Sequence, residues 1–338
     1  MTRTDPPRFL LVRLDGLGDA LACVPLLEGL RLAHPDASFG AVCSPANAAV
    51  FSNRIAPVHV FARTDAPDGI APALVAQGYT HAIVATEEVA GYEVARASGA
   101  ARRSGFWHRF EKPFKSLWQA SQLTDRVYRP ARWTARPEHE VEALYRLALP
   151  FGAPPRATTD AVGLRLWLEL EQRDDVPEKA LGFQISRKAT SDGWGPISLA
   201  HAFAQAWSMS GSEDAVLLAG DADQGLARSL FEHLPSGMRE HTHLMPPSSV
   251  PRWFGAIARL SALVTPDTGA AHAAGMLGVP VVDLFDSDRF DQLSRQWRPW
   301  AAAHRCLVKP QAQAGEAPDF GAEIGTAVRG LMMQVAQP

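Results

Sequence analysis

The sequence is short of several things, and each shortage excludes something. Three cysteines, Cys23, Cys43 and Cys306, are scattered over 338 residues without a CxxC pair. An odd, widely spaced set gives no disulfide framework and no thiolate metal site, and it reads as reduced structural thiols of a cytosolic protein. No run approaches the ~20 apolar residues of a membrane span. The opening stretch, MTRTDPPRFLLVRLDGLGD, has too short an apolar core for a secretory signal and carries charge inside it. A cytoplasmic protein is expected, with peripheral contact at the inner face of a membrane left open. Lysine is scarce, 5 residues against 28 arginines, which codon bias accounts for as well as phosphate binding does. The net charge of −3 implies no bulk affinity for nucleic acid. There is no GxSxG elbow and no P-loop. Two Asp-x-Asp triplets, Asp221-Ala-Asp223 and Asp286-Ser-Asp288, are of a kind common in polar loops, and no metal is expected.

What is present is an alternation. The chain is 46% apolar and long enough for two ordinary domains. Strands are expected at Phe9–Arg13, Phe39–Cys43, Val58–Phe61 and His81–Ala85. Helices are expected at Ala20–Ala33, Ala46–Phe51, Ile70–Gln77 and Glu138–Phe151. Gly152–Val162, GAPPRATTDAV, is rich in proline and small residues and reads as the interdomain linker. The second half restarts with strands at Leu181–Ile185 and Ala215–Ala219. Its helices are expected at Ile197–Met209, Asp223–His233, Val250–Arg259 and Asp319–Val335. Alternating β and α units mean parallel sheets covered on both faces. Domains of residues 1–155 and 156–338 follow, with no sequence repeat between them.

The most informative stretch is Val264–Leu284, VTPDTGAAHAAGMLGVPVVDL. Leu263–Thr265 is a short apolar strand that Pro266 ends. Asp267 and Thr268 are helix-capping types, and Gly269 permits close approach of a ligand. Ala270–Leu277 favours helix, Gly278 stops it, and Val279–Leu284 is a second strand. The N–H groups and dipole at such a helix start favour an anion, and His272 lies one turn in. A cap and a core histidine remain the plainer alternative.

The turn Leu14–Asp19, LDGLGD, offers two readings. Gly16-x-Gly18 is a fragment of a dinucleotide fingerprint, but Leu21 stands where the third glycine belongs. Asp19 is either a helix cap or a catalytic carboxylate at the C-terminal edge of the first strand, where open α/β sheets place ligands.

DTGAAH followed by AAGMLGVPVVDLF, together with LLVRLDGLGDALACVPLLEGLRLAHPDA, resembles the ADP-heptose:lipopolysaccharide heptosyltransferases, glycosyltransferase family 9. The resemblance covers about residues 8–36 and 180–308. It implies a GT-B fold, an α/β architecture of two doubly wound Rossmann-like domains facing a central cleft. It also implies an inverting, metal-independent transferase without a cofactor, in which an ADP-sugar is the donor substrate. The acceptor it implies is a lipopolysaccharide-core or other acidic glycan or glycolipid. By the resemblance Asp19 is the general base, Arg13 is the basic residue ending the first strand, and Arg13 and Gly18 lie on the acceptor side. Asp267, Thr268, Gly269, Ala270 and His272 hold the donor diphosphate and sugar, and Asp223 (or Asp221) grips the nucleotide. The family turn carries a lysine two residues before its tryptophan. Here that place, two before Trp194, is Asp192, so Arg187 and Lys188 of the same turn have to supply the positive charge.

Arg96–Arg136 holds ten basic residues against two acidic ones, a net charge of +8, with aromatic residues interleaved. Read as a solvated loop region it has no role. Read functionally it is a cationic surface for an acidic acceptor, with Arg102, Arg103 and Arg109 as contacts and a membrane face as a further option. Two rival functions remain. One is a degenerate nucleotide-binding scaffold, which Asp192 would favour. The other is an NAD-dependent oxidoreductase or epimerase, which the missing third glycine disfavours.

Overall fold

The computed structural model describes residues 5–51, 53–130, 137–312 and 319–335. The chain divides into two compact units, Met1–Glu169 and Leu170–Pro338. In unit 1 the strands are β1 (Arg8–Arg13), β2 (Ser38–Cys43), β3 (Val58–Val60), β4 (His81–Val84), β5 (Arg102–Trp107) and β6 (Asp125–Tyr128). The helices are α1 (Leu17–Leu21), α2 (Val24–Ala33), α3 (Pro67–Gln77), α4 (Val89–Ala97), α5 (Pro113–Gln122), α6 (Glu140–Tyr145) and α7 (Ala161–Arg165). The sheet is parallel, in the order β3-β2-β1-β4-β5-β6. Leu10, Val12, Val42 and Val84 are buried in its core with Tyr92 of α4.

Unit 2 repeats that plan. Its strands are β7 (Leu181–Ile185), β8 (Ala215–Ala219), β9 (Thr242–Leu244), β10 (Ala262–Pro266), β11 (Val281–Asp286) and β12 (His304–Lys309). They run in the order β12-β11-β10-β7-β8-β9, which is the order of unit 1 read from the other edge. The helices are α8 (Pro196–Ser210), α9 (Gln224–His233), α10 (Ser236–Arg239), α11 (Val250–Ile257), α12 (Gly269–Leu277), α13 (Phe290–Trp297) and α14 (Phe320–Val335). Phe183 stacks on Phe203 with ring centroids 4.3 Å apart, and Val264 and Ile324 complete this core.

Each sheet has one switch point, where the strand order reverses. It lies between β1 and β4 in unit 1 and between β7 and β10 in unit 2. Crevices at the C-terminal ends of the strands open at such points.

Four expectations change, the first being that the helix expected over Ala46–Phe51 is a single 3-10 turn, Ala48–Phe51. The helix expected over Ala20–Ala33 is two helices, because Pro25 has no N–H to donate to the turn before it and sits in the first turn of α2 instead. The helix expected over Glu138–Phe151 stops at Tyr145, and a short turn, Leu149–Phe151, carries Pro150. The boundary expected at 155/156 falls between Glu169 and Leu170. The proline-rich stretch leads into α7, which stays with unit 1. There Leu164 is buried, and the Trp167 indole N–H donates to Glu28 at 2.8 Å.

Candidate active site

In unit 1 the chain leaves β1 at Arg13 and turns through Leu14–Gly16 into α1. Asn47 Nδ2 donates to the carbonyls of Arg13 (3.2 Å) and Asp15 (3.0 Å), and the Ser44 hydroxyl donates to that of Asp15 (2.9 Å). The turn is thereby fixed to the end of β2. Arg13 was expected to face the acceptor. It is buried, and its guanidinium is occupied. Nη2 donates to Asp19 Oδ1 at 2.6 Å, Nη1 donates to the Ala85 carbonyl, and Nε lies 3.3 Å from Asp15 Oδ2. Arg13 therefore joins the ends of β1 and β4 and positions two carboxylates.

The second oxygen of Asp19 accepts from the Gly16 N–H at 3.1 Å, the reach of a third-position helix carboxylate back to the residue before the helix. Each carboxylate oxygen has a further lone pair, and a third of the Asp19 side chain is open to solvent. Gly18 is half-buried in α1 beside it. Asp19 lines a cavity of about 590 Å³ with Asp15, Gly16, Ser44, Ala62 and Arg63. Burial raises the Asp15 carboxyl above its ordinary range despite Arg13 beside it. Arg63 was not singled out from the sequence. It is largely exposed at this cavity, with its guanidinium 2.7 Å from Glu88.

The cationic segment divides between the two edges of the sheet. Arg102 and Arg103 begin β5, while Asp19 follows the end of parallel β1. A six-residue strand spans roughly 20 Å, so these two arginines are not brought to Asp19. They are engaged elsewhere. Arg102 pairs with Asp125 at 2.7 Å and donates to the Pro150 carbonyl, and Arg103 donates to the carbonyls of Gln122 and Ala100. Arg109 follows the end of β5, on the Asp19 side, with its guanidinium 4.5 Å above the Tyr128 ring. Arg132, Trp133 and Arg136 lie outside the described residues.

In unit 2 the turns after β7 and β10 meet at the switch point. Thr268 caps α12, its hydroxyl accepting from the Ala270 N–H at 3.3 Å and lying 3.1 Å from the Thr265 hydroxyl. Asp267, Thr268 and Gly269 are half-exposed, whereas Ala270 and His272 are buried. The His272 ring sits 5.6 Å from that of Trp297, edge to face. The histidine expected to reach an anion at the helix start is thus largely buried. Lys188 supplies a cation there. Its ammonium donates to the Asp267 carbonyl at 2.5 Å and lies 3.5 Å from the Asp267 carboxylate, and the side chain is mostly exposed. Arg187 points toward the end of β8, 3.7 Å from Asp223.

Two residues here escaped sequence reasoning. Lys309 ends β12 and is buried. Its ammonium donates to the Lys188 carbonyl (2.9 Å) and the Ser191 hydroxyl and pairs with Asp286 at 3.0 Å. Burial works against the Asp286 charge, but the bonds from Lys309 and Ser191 bring that carboxyl below its usual range. The Trp194 indole donates to the Pro310 carbonyl at 2.7 Å, so the end of β12 holds both ends of the Ser186–Trp194 turn. Asp192, the residue in place of the expected lysine, adopts left-handed backbone (φ 59°), and its carbonyl accepts from the Ala312 N–H at 2.8 Å. The second missed residue is Asp283 on β11. It is fully buried, and neither of its oxygens has a hydrogen-bond partner among the described residues. Burial, and secondarily the charge of Asp267, push its carboxyl well above the ordinary range.

The sequence profile of glycosyltransferase family 9 (heptosyltransferase) matches residues 70–323, more than half of the chain. The chain is a member of glycosyltransferase family 9. The match takes in the whole switch point of unit 2 and begins after Asp19. Among solved structures, the family 9 glycosyl transferase of Veillonella parvula DSM 2008 superposes with a TM-score of 0.72 at 17% identity, covering 98% of this chain and 99% of that one. The ADP-heptose lps heptosyltransferase II of E. coli gives 0.73 at 16% identity, covering 97% and 99%. The E. coli heptosyltransferase WaaC with ADP gives 0.69 at 19% identity, covering 94% and 99%. A search of curated proteins found no match. This family 9 glycosyltransferase has the GT-B fold, built from two parallel six-stranded sheets with helices. Among the described residues, no three His, Cys, Asp or Glu side chains cluster to hold a metal, and no helix is long and apolar enough to cross a membrane.

Proposed function

We propose that the chain transfers a heptose-like sugar from an ADP-sugar to a lipopolysaccharide-core or other acidic glycan acceptor, with inversion and without a metal. The carrying observation is Lys188, set by the Lys309 clamp against Asp267 at the half-exposed start of α12. A cation and a helix start at one switch point suit a diphosphate. Arg187 and Asp223, at the end of β8, suit the nucleotide next to it. The solved E. coli WaaC structure of this fold contains ADP, which favours adenine as the base.

In this reading Asp19 accepts the proton of the acceptor hydroxyl. That oxygen bonds to the anomeric carbon as the carbon–diphosphate bond breaks, and the released electron pair stays on ADP. One displacement inverts the anomeric centre. Lys188 and the α12 N-terminus stabilise the negative charge that develops on the diphosphate. Arg63 and Arg109 are the cations on the Asp19 side suited to an acidic acceptor. Asp192 alone would point to an inactive scaffold. Lys188 answers that point, because its exposed ammonium is a cation of the same turn, held in place by Lys309. Calorimetric titration with ADP, UDP and GDP tests the donor assignment. Selective ADP binding that weakens in Lys188→Ala supports it, and preference for another nucleotide overturns the ADP assignment.

A further inference from the structure

A strand at the edge of a sheet leaves a row of backbone N–H and C=O groups unpaired. The edge strands of the two sheets are β3, β6, β9 and β12. Three of them are short: β3 and β9 have three residues each and β6 has four. β12 has six. Chains blunt a long edge with proline or with outward lysine. β12 has no proline before Pro310, and its one lysine, Lys309, is buried. The Val281 N–H donates to the Ala303 carbonyl at 3.0 Å. The alternation of a parallel ladder then turns the backbone groups of Arg305 and Leu307 toward β11 and those of His304, Cys306 and Val308 outward. No strand pairs with that outer side among the described residues, and the Val308 side chain is exposed.

The face of β12 beside α14 is open as well. Arg305 and Leu307 line a cavity of about 600 Å³ there with Ala322, Glu323, Thr326 and Gly330 of α14. Ala322, Thr326 and Gly330 recur every four residues, so a row of small side chains faces the cavity. The helix begins at the C-terminal end of β12, where Phe320 packs on Trp194 and Trp194 donates to the Pro310 carbonyl. From there it runs back along the strand. Glu323, in its first turn, stands level with the Leu307 end of β12, and Arg305 lies two residues further back. Neither charge has an ion-pair partner among the described residues; the Arg305 guanidinium donates only to the His304 carbonyl, at 3.1 Å.

We propose that β12 pairs with β12 of a second copy of the chain, antiparallel about a two-fold axis at Cys306. Cys306 then lies opposite itself and His304 opposite Val308, so each outward N–H meets an outward C=O. Charge fixes that register. It sets Arg305 opposite Leu307 of the second copy and so beneath that copy's Glu323, and the two-fold repeats the contact. Opposite charges without ion-pair partners in one chain meet in two. The two six-stranded sheets become one, and the small side chains of α14 leave room for the incoming arginines. A strand of another protein would satisfy the same backbone groups, but it would not bring a cation to Glu323 by symmetry. The pairing uses neither donor nor acceptor and stands apart from the transferase reading.

Light scattering of the full chain across a concentration series tests it. The wild type is expected to approach twice the mass of one chain as concentration rises. Val308→Pro removes an outward N–H and no bond to β11, a change that edge strands tolerate, and it is expected to stay monomeric over that series. Glu323→Arg is expected to raise the dimer dissociation constant about tenfold or more, and Glu323→Arg/Arg305→Glu to return it to within a few-fold of wild type. Hydrogen exchange at the Cys306 and Val308 amides should slow in the wild type as concentration rises. Arg305 and Glu323 are exposed, so the charge exchange decides the matter even where melting shows that Val308→Pro does not fold. A wild type that is monomeric throughout overturns the proposal. So does a dimer that Val308→Pro and Glu323→Arg both leave intact, which would place the contact on another surface.

Discussion

Arg13 meets Asp19 beneath the sheet edge, its Nη2 2.6 Å from the carboxylate, while Nη1 holds the Ala85 carbonyl at the end of the neighbouring strand. One buried guanidinium thus sets the Asp19 side chain relative to both strands of the switch point. Lysine donates all three of its N–H groups from one nitrogen and cannot reach three partners spread in a plane. Arg13→Lys is expected to lower kcat by roughly ten- to a hundredfold through misplacement of Asp19. The KM for the ADP-sugar should change little. Steady-state kinetics with donor and acceptor varied separately check this.

The two edges of the unit 1 sheet predict opposite results for its arginines. Arg63→Ala should raise the acceptor KM by roughly tenfold, the worth of one charge-assisted hydrogen bond. Arg102→Ala and Arg103→Ala should leave acceptor KM and kcat close to wild type. Acceptor saturation curves for the three variants separate them.

Lys188 and Lys309 act on the donor in different ways. Lys188→Ala should weaken ADP binding by about ten- to a hundredfold by removing a direct contact. Lys309→Met leaves Asp286 and Ser191 without their buried cation, so it should weaken ADP binding and lower the melting temperature together. Calorimetry and thermal melting of both variants check the distinction, and Lys188→Ala should melt like the wild type.

Asp283 gives a stability change with a defined sign. Its carboxyl is raised by burial and by Asp267. Below the ordinary carboxylate range, folded and unfolded chains both carry the proton and no penalty exists. As pH rises, the unfolded chain releases the proton and the folded chain must keep it or bury a charge, so stability is lost. Asp283→Asn removes that penalty. The variant should gain melting temperature relative to wild type at pH 8, with the gain shrinking toward pH 4. Melting curves across that range check it.

Much of this was legible because local signals set it. Leu181–Ile185 and Ala215–Ala219 form β7 and β8 at the expected ends, since each is a short apolar run between polar turns. The β10–α12–β11 unit was legible from Pro266, Thr268 and Gly278, each of which does one thing to the backbone. Charge count alone could not say which end of β5 carries which arginine, because direction at a sheet edge follows from strand pairing. The packing of His272 was illegible for a related reason: helical spacing brings it near the start of α12, but only the fold sets its ring against Trp297. Lys309 was illegible because 121 residues separate it from the carbonyl of Lys188 that it holds. Only the placement of β12 beside β11 brings it there.

The turnover of Asp19→Asn, measured alongside its ADP affinity, decides whether Asp19 is the base of an ADP-sugar transferase. The amide keeps the shape and can still accept from Arg13, but it cannot take up the acceptor proton. Transfer is expected to fall by at least about a hundredfold, with ADP binding at the wild-type level. Transfer within a few-fold of wild type would contradict that role and remove Asp19 as the base.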